Sequence, residues 1–299
     1  MRRLLQPGPA PAERIESLAG AGLVLDYILE PGRNLIAALA APLVASGLRS
    51  AAIVFAGAAL APFRYVLPGP AHDGAHVAWF SAPHVPGGDP ARPSVVETAN
   101  ATFGWRDGKP FVHCHGVWVE PDGTRRGGHM LPDETFLAAA GRARAWGLAE
   151  VAITVDPDPE TNFPLFHPVV APPFGPEGGP GGKVIGEGGI RLIAARIRPN
   201  QDIGAALVAL CARHGLTRAV VRGSLGSLIG AAFTDGRVVP DLATEVLVRD
   251  GRIAPGPDGA LAAVLDLVVV DALGRPHEGR LRAGENPVCI TFEAMLEAA

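Results

Sequence analysis

The stretch PGRNLIAALAAPLVASGLRSA, Pro31–Ala51, returns 168 residues later as PNQDIGAALVALCARHGLTRA, Pro199–Ala219. Without a gap, 8 of the 21 positions are identical, among them Pro31/Pro199, Leu39/Leu207, Gly47/Gly215 and Leu48/Leu216. Solenoid repeats run to about 20–50 residues, so a period this long points to one domain used twice. Each copy reads alike. A β-branched, apolar strand (Leu23–Leu29; Arg191–Ile197) leads through a Pro-containing turn into an amphipathic helix (Asn34–Ser46; Asp202–His214). Asn34 and Asp202 fit as N-caps, and Gly47 and Gly215 fall where a left-handed residue ends a helix. A buried strand follows (Ser50–Phe55; Arg218–Arg222).

Outward from this unit most segments read as strands: Val77–Ser81, Val95–Phe103, Phe111–Val119 and Leu148–Val155, then Thr244–Arg249, Leu261–Asp271 and Pro287–Phe292. One further helix is expected over Asp133–Trp146. The expected fold is α+β, a mainly antiparallel sheet flanked by helices, in two tandem copies of the same domain. The boundaries are an N-terminal extension over 1–19, a first domain over 20–167, a Gly/Pro-rich linker over 168–187 and a second domain over 188–299. Ahead of the linker, Phe163, Leu165 and Phe166 are expected to dock onto a domain surface.

The chain of 299 residues is 48% hydrophobic and 19% charged, a globular balance that excludes a disordered chain. Gly and Pro, 38 and 29 residues, show no Gly-X-Y period, which excludes collagen. A net charge of −4 offers no surplus of cations for phosphates, so nucleic acid is an unfavoured partner. Leu35–Phe63 carries one charge, Arg49, over a length that could span a membrane. Its counterpart in the second copy carries Arg213, His214, Arg218 and Arg222, so both stretches read as soluble core and no membrane is expected. Cys114, Cys211 and Cys289 are widely spaced and form no disulfide framework. With no apolar region near the N-terminus to make a signal peptide, a cytoplasmic protein is expected.

Phe111-Val112-His113-Cys114-His115 is followed by Gly127-Gly128-His129. On a strand, His113 and His115 share a face and Cys114 takes the other. Pro121-Asp122-Gly123 is a turn signal that folds the chain back as a hairpin and brings His129 to the pair. Three imidazoles with a fourth position open suit a divalent metal, zinc first. The second copy aligns Val264, Asp266 and Arg280 with these histidines while keeping the turn glycine, Gly274. The fold therefore does not need the histidines, and the second copy is expected to be a structural or pocket-completing partner. Glu97, on the strand before the His strand, is the candidate acid/base, with Glu245 as its counterpart; Glu150 and Glu293 also correspond. Arg125 and Arg126 beside the turn are candidate clamps for a substrate carboxylate. His167 lies in the tail of the first copy, and His72, His76 and His84 sit in a Pro/Gly-rich loop.

The run Gly108-Lys109-Pro110-Phe111-Val112-His113-Cys114-His115, then Asp122-Gly123, then Gly127-Gly128-His129-Met130, resembles the signature of the PPC (plants and prokaryotes conserved) domain. The likeness covers about residues 20–156, with a degenerate copy over about 188–297. It implies an antiparallel sheet flanked by helices, assembly as a homo-oligomer, a trimer or pseudo-trimer, and a metal site mapping onto His113, His115 and His129. Plant members bind DNA through an AT-hook, and no Arg-Gly-Arg-Pro core of that kind occurs here. A more distant similarity is to acetolactate decarboxylase, whose related fold has two tandem halves with zinc histidines in one. Two functions follow. One is a metal-dependent lyase or hydrolase acting on a small carboxylated molecule. The other is a DNA-binding or regulatory protein whose metal is structural or absent.

Overall fold

The computed structural model describes residues 2–89, 92–171 and 189–299. In the first half the main elements are β1 (Ile15–Leu29), α1 (Leu35–Ala45), β2 (Ser50–Ala56), β3 (Ser94–Arg106), β4 (Lys109–Val119), β5 (Arg125–Met130), β6 (Gly141–Leu148), β7 (Val151–Pro157) and β8 (Pro164–Val170). The second half holds β9 (Ile190–Ile197), α2 (Ile203–Arg213), β10 (Ala219–Val221), β11 (Leu225–Leu228), β12 (Thr244–Pro255), β13 (Leu261–Val270), β14 (Pro276–Arg280) and β15 (Val288–Ala298). Among the described residues, then, two helices stand against many strands, an α+β fold dominated by antiparallel pairing.

One pairing order runs twice. In the first half it is β1–β6–β2–β3–β4–β5. In the second it is β9–β15–β10/β11–β12–β13–β14. β1 and β9 pair antiparallel over Ile15–Gly22 and Ile190–Ile197, which makes the two sheets continuous. β1 thus serves both halves, its first part on β9 and its second on β6.

Helix position follows from the caps. The Asn34 side chain accepts from Ala37 N at 2.8 Å and Asp202 from Ala205 N at 2.9 Å, each satisfying an amide that a helix start leaves unpaired. Gly47 (φ 76°) and Gly215 (φ 65°) end the helices in the left-handed region. Asp202 also accepts from Asn286 N through its other oxygen, at 2.9 Å. Asp202→Ala therefore removes two bonds, and a loss of about 1–2 kcal/mol in stability is expected, read from the urea midpoint.

Period-two alternation assigns the faces of the first sheet. Ala99, Ala101 and Phe103 of β3 and Val112, Cys114 and Trp118 of β4 pack under Leu35, Leu39 and Leu43 of α1. The opposite face, carrying Asn100, His113, His115 and Val117, meets the second half. Val117 packs with Leu225, Leu247, Val268 and Val270. Asn100 donates to the carbonyls of Ser224 and Val248 at 2.9 and 2.8 Å. The histidine face is therefore an interior face between two sheets.

Three expectations need correction. Asp133–Trp146 is not a helix: Leu137–Ala139 and β6 are strands. The run Arg142-Ala143-Arg144-Ala145 is made of good helix formers, but its arginines are exposed and its alanines buried. Insertion between β1 and β2 overrides helix propensity here. Leu148–Val155 is split at Ala149–Glu150 into β6 and β7. β1 starts at Ile15, inside the expected N-terminal extension, and β8 runs to Val170, inside the expected linker. Pairing with β9 and β7 orders these two segments. Most of that linker, residues 172–187, lies outside the described residues. Phe163, Leu165 and Phe166 are buried against residues of both halves, including Ile229, Ile290 and Met295. No helix among the described residues is long and apolar enough to cross a membrane.

Candidate metal centre

β4 projects His113 and His115 from one face, and β5 returns antiparallel with His129 directly opposite His115. The expected turn makes this register: Gly123 (φ 88°) donates to Glu120 O at 2.9 Å, and Asp122 Oδ1 accepts from Thr124 N at 2.8 Å. Gly127 has no room for a side chain, since a Cβ there would stand 2.6 Å from Val270 Cγ2. One ring nitrogen from each of the three histidines lies within 4.8 Å of the other two. His113 Nε2 and His115 Nε2 are 3.0 Å apart, and His115 Nε2 is 3.2 Å from His129 Nδ1.

The far nitrogens fix the tautomers. His115 Nδ1 is 3.1 Å from Val246 O, an acceptor, so Nδ1 carries the proton and a neutral ring presents a bare Nε2. His113 Nδ1 is 2.8 Å from Glu293 Oε1, which also turns its Nε2 inward. Burial and then the charge of His113 hold His115 and His129 well below the usual imidazole range. His113 is pulled down by burial but raised overall by Glu293 and Glu245. Two inward lone pairs 3.0 Å apart repel unless a cation, proton or metal, lies between them. Three imidazoles with two oriented from behind are a donor set that fits a divalent ion such as zinc.

The second half completes the site. Glu245 (β12) and Glu293 (β15) are 4% and 5% exposed. Glu245 Oε2 is 3.2 Å from His115 Nε2. Burial pushes the Glu245 carboxyl up to about 7, against the opposing charge of His113. Glu293 Oε2 and Thr291 Oγ1 are buried with no hydrogen-bond partner among the described residues, and both residues line the adjoining cleft. That cleft, about 380 Å³, opens from His113 and His129 between the halves, with Phe80, Phe111, Phe166 and Ile290 in its walls.

The other expected site residues are elsewhere. The register of β3 slips between Val96 and Thr98, and Glu97, in that irregularity, is exposed. It pairs with Arg125 at 2.7 Å, and Arg125 also pairs with Glu278. Arg126 donates to Leu273 O at 3.0 Å and lies 3.6 Å from Glu120. None of the three lines the histidine cleft. His167 binds Glu16 at 2.8 Å, His76 binds Asp73 at 2.6 Å, and His84 stacks on Tyr65. Cys114 faces the α1 core, where burial pushes its thiol up. In the second half Asp266 stands opposite Arg280, the register that His115 and His129 occupy in the first, and the two form an ion pair at 2.9 Å.

No protein-family model and no curated protein matches the chain. Solved structures of low identity match about half of it. A PPC protein of Pyrococcus horikoshii is 18% identical over 52% of this chain and 97% of its own, with a TM-score of 0.38. A metal-containing protein of Archaeoglobus fulgidus is 19% identical over 52% and 98%, with a TM-score of 0.37. A candidate DNA-binding protein of Ralstonia eutropha JMP134 is 19% identical over 47% and 88%, with a TM-score of 0.35.

Proposed function

We propose that the chain is a zinc-dependent lyase or hydrolase acting on a small carboxylated molecule, built from two copies of one PPC-like domain of which the second completes the site of the first. The observation that carries this reading is the convergence of His113, His115 and His129 within 4.8 Å at the end of a cleft. The duplication is supported by the repeated pairing order and by the shared register of His115/His129 and Asp266/Arg280.

Within this reading His113, His115 and His129 hold the ion, which when bound supplies a Lewis acid to polarise a substrate oxygen. Glu293 keeps His113 in the tautomer that offers Nε2, and the Val246 carbonyl does the same for His115. Glu245, held near neutrality by burial, takes or gives the proton beside that oxygen. The sheet-to-sheet packing around Val117 and Leu247 backs the site and buries His115, while His113 and His129 face the cleft.

The test is zinc titration of the purified full chain against a chromophoric chelator. One equivalent bound tightly is expected, and an absence of uptake would overturn the reading. The alternative is a DNA-binding or regulatory protein whose metal is structural or absent; the Ralstonia structure is of a candidate DNA-binding protein. That alternative predicts a salt-dependent gel shift, and no shift at low salt would dispose of it.

A further inference from the structure

We propose that the cleft takes an aromatic carboxylate, with Arg106 holding the carboxylate and Phe111 stacking beside the ring. The proposal deepens the reading above by naming the substrate class and the residue that selects it.

The chain is poor in aromatics, 11 Phe, 4 Trp and 2 Tyr in 299 residues. Five of these seventeen, Trp79, Phe80, Phe111, Phe163 and Phe166, line this one cleft. They touch one another and the metal ligands: Phe111 is 5.9 Å from Phe166, Trp79 is 5.0 Å from Phe163, and Phe80 is 4.9 Å from His129. Walls of this kind favour a flat apolar body, which gains edge and face contacts that an aliphatic chain of similar size does not.

Arg106 supplies the polar handle. Among the described residues lining the cleft it is the one side chain with a permanent positive charge. It is exposed, and no carboxylate among the described residues lies within ion-pair distance. Arg125 and Arg126, by contrast, already hold Glu97, Glu278 and Glu120. The Arg106 guanidinium sits 4.7 Å over the Phe111 ring, which pre-orients its planar fork. The cleft's other permanently ionisable side chains are carboxylates, Asp133 and Glu134 exposed and Glu245 and Glu293 buried, so Arg106 is the one place in its lining that can hold a substrate carboxylate.

Strand geometry sets the order of the groups. Phe111 and His113 stand on one face of β4, two residues and roughly 7 Å apart. A ligand gripped by Arg106 therefore lays its ring along Phe111 and Phe166 and presents its far end toward His113 and His129. The cleft, about 380 Å³, is large enough for a single aryl ring with short substituents.

Isothermal titration of the zinc-loaded full chain with phenylacetate, 2-phenylethanol and acetate tests this. Phenylacetate is expected to bind about tenfold more tightly than either partial probe. Arg106→Gln should abolish the preference over 2-phenylethanol, and Phe111→Leu should reduce the preference over acetate. An unchanged phenylacetate to 2-phenylethanol ratio in Arg106→Gln, or phenylacetate binding no better than acetate, overturns the proposal. Repeating the titration on zinc-free protein separates the two readings. Retained phenylacetate binding in a chain that takes up no zinc would overturn the metal reading and leave this one standing. Zinc uptake without phenylacetate binding would do the reverse.

Discussion

Replacing His115 by alanine is expected to lower zinc affinity on the order of 10³-fold, the largest effect of any single substitution at the site. The reason is its central place. His115 Nε2 is 3.0 Å from the donor of His113 and 3.2 Å from that of His129, whereas His113 and His129 meet through their rings, 4.9 Å between centroids, with no nitrogen pair at hydrogen-bond distance. Loss of His113 or His129 leaves a neighbouring pair of donors, whereas loss of His115 removes the shared one. The residue is also 1% exposed, with its proton fixed on Nδ1 by the Val246 carbonyl, so no surface side chain can swing in as a replacement. Glu293→Gln acts only through the orientation and basicity of His113, and a 10–100-fold loss is expected, ordering the two variants. Chelator competition gives the affinities. Thermal melts add a second readout: zinc should raise the wild-type Tm by mass action and leave that of His115→Ala unmoved. Wild-type zinc affinity in His115→Ala would place the ion elsewhere.

The histidine triad was legible because everything that builds it is local. Period-two alternation fixes His113 and His115, a turn of known chemistry fixes the return, and 14 residues separate His115 from His129. The carboxylates that complete it are not local. Glu293 comes to His113 from 180 residues away, through the packing of one sheet on another. A sequence signal for them does exist. Glu245 in Thr244-Glu245-Val246-Leu247-Val248, and Glu293 in Thr291-Phe292-Glu293-Ala294-Met295, are lone carboxylates inside apolar strands, where an ionisable group stays only with a partner or a task. The expectation settled instead on Glu97, the counterpart of Glu245 in the first half, because it lies on the strand next to the histidines. Alternation from Asn100, the partner of His115, puts Glu97 on the other face of β3, and the slip between Val96 and Thr98 leaves it exposed beside Arg125. Arg125 and Arg126 stand off the histidine cleft, held by Glu278 and Leu273 about 150 residues downstream, which local sequence does not bring into view. The helix expected over Asp133–Trp146 shows the same limit in backbone form, since the strands on either side of β6 decide its conformation.

Asp158→Ala is expected to cost about 3–5 kcal/mol of stability, through an ionic network whose Arg196 stands directly opposite Glu293 in the sheet. Asp158, 1% exposed, forms ion pairs with Arg198 at 2.7 Å and Arg196 at 3.0 Å, and it accepts from Thr161 N and Oγ1 at 3.1 and 2.8 Å. Arg196 and Arg198 are 1% and 6% exposed, and each also faces Glu16 on β1. This network ties the turn between β7 and β8 to β9 and to the shared strand β1, so it sits on the seam that sets the halves, and hence Glu245 and Glu293, against the histidines. Removing the carboxylate takes one counter-charge from each of two buried guanidiniums and leaves them to share Glu16. Removing charge on both sides, in Asp158→Ala with Arg198→Met, should therefore recover part of the loss, and a double-mutant cycle in urea measures how much. The pH dependence has a definite sign. Burial raises both carboxyls, but the two arginines, with His167 at Glu16, outweigh it and hold Asp158 and Glu16 at about 2, below their ordinary 3.8 and 4.5. Their contribution is then full above about pH 4.5 and is lost as pH falls toward 2, because the unfolded chain takes up protons first. Between pH 4.5 and 2 the wild-type urea midpoint should fall more steeply than that of Asp158→Ala, whose stability is already low at neutral pH. Parallel slopes, or a neutral-pH loss below about 1 kcal/mol, would mean that hydrophobic packing at Phe166 and Met295 holds the seam without the ionic network.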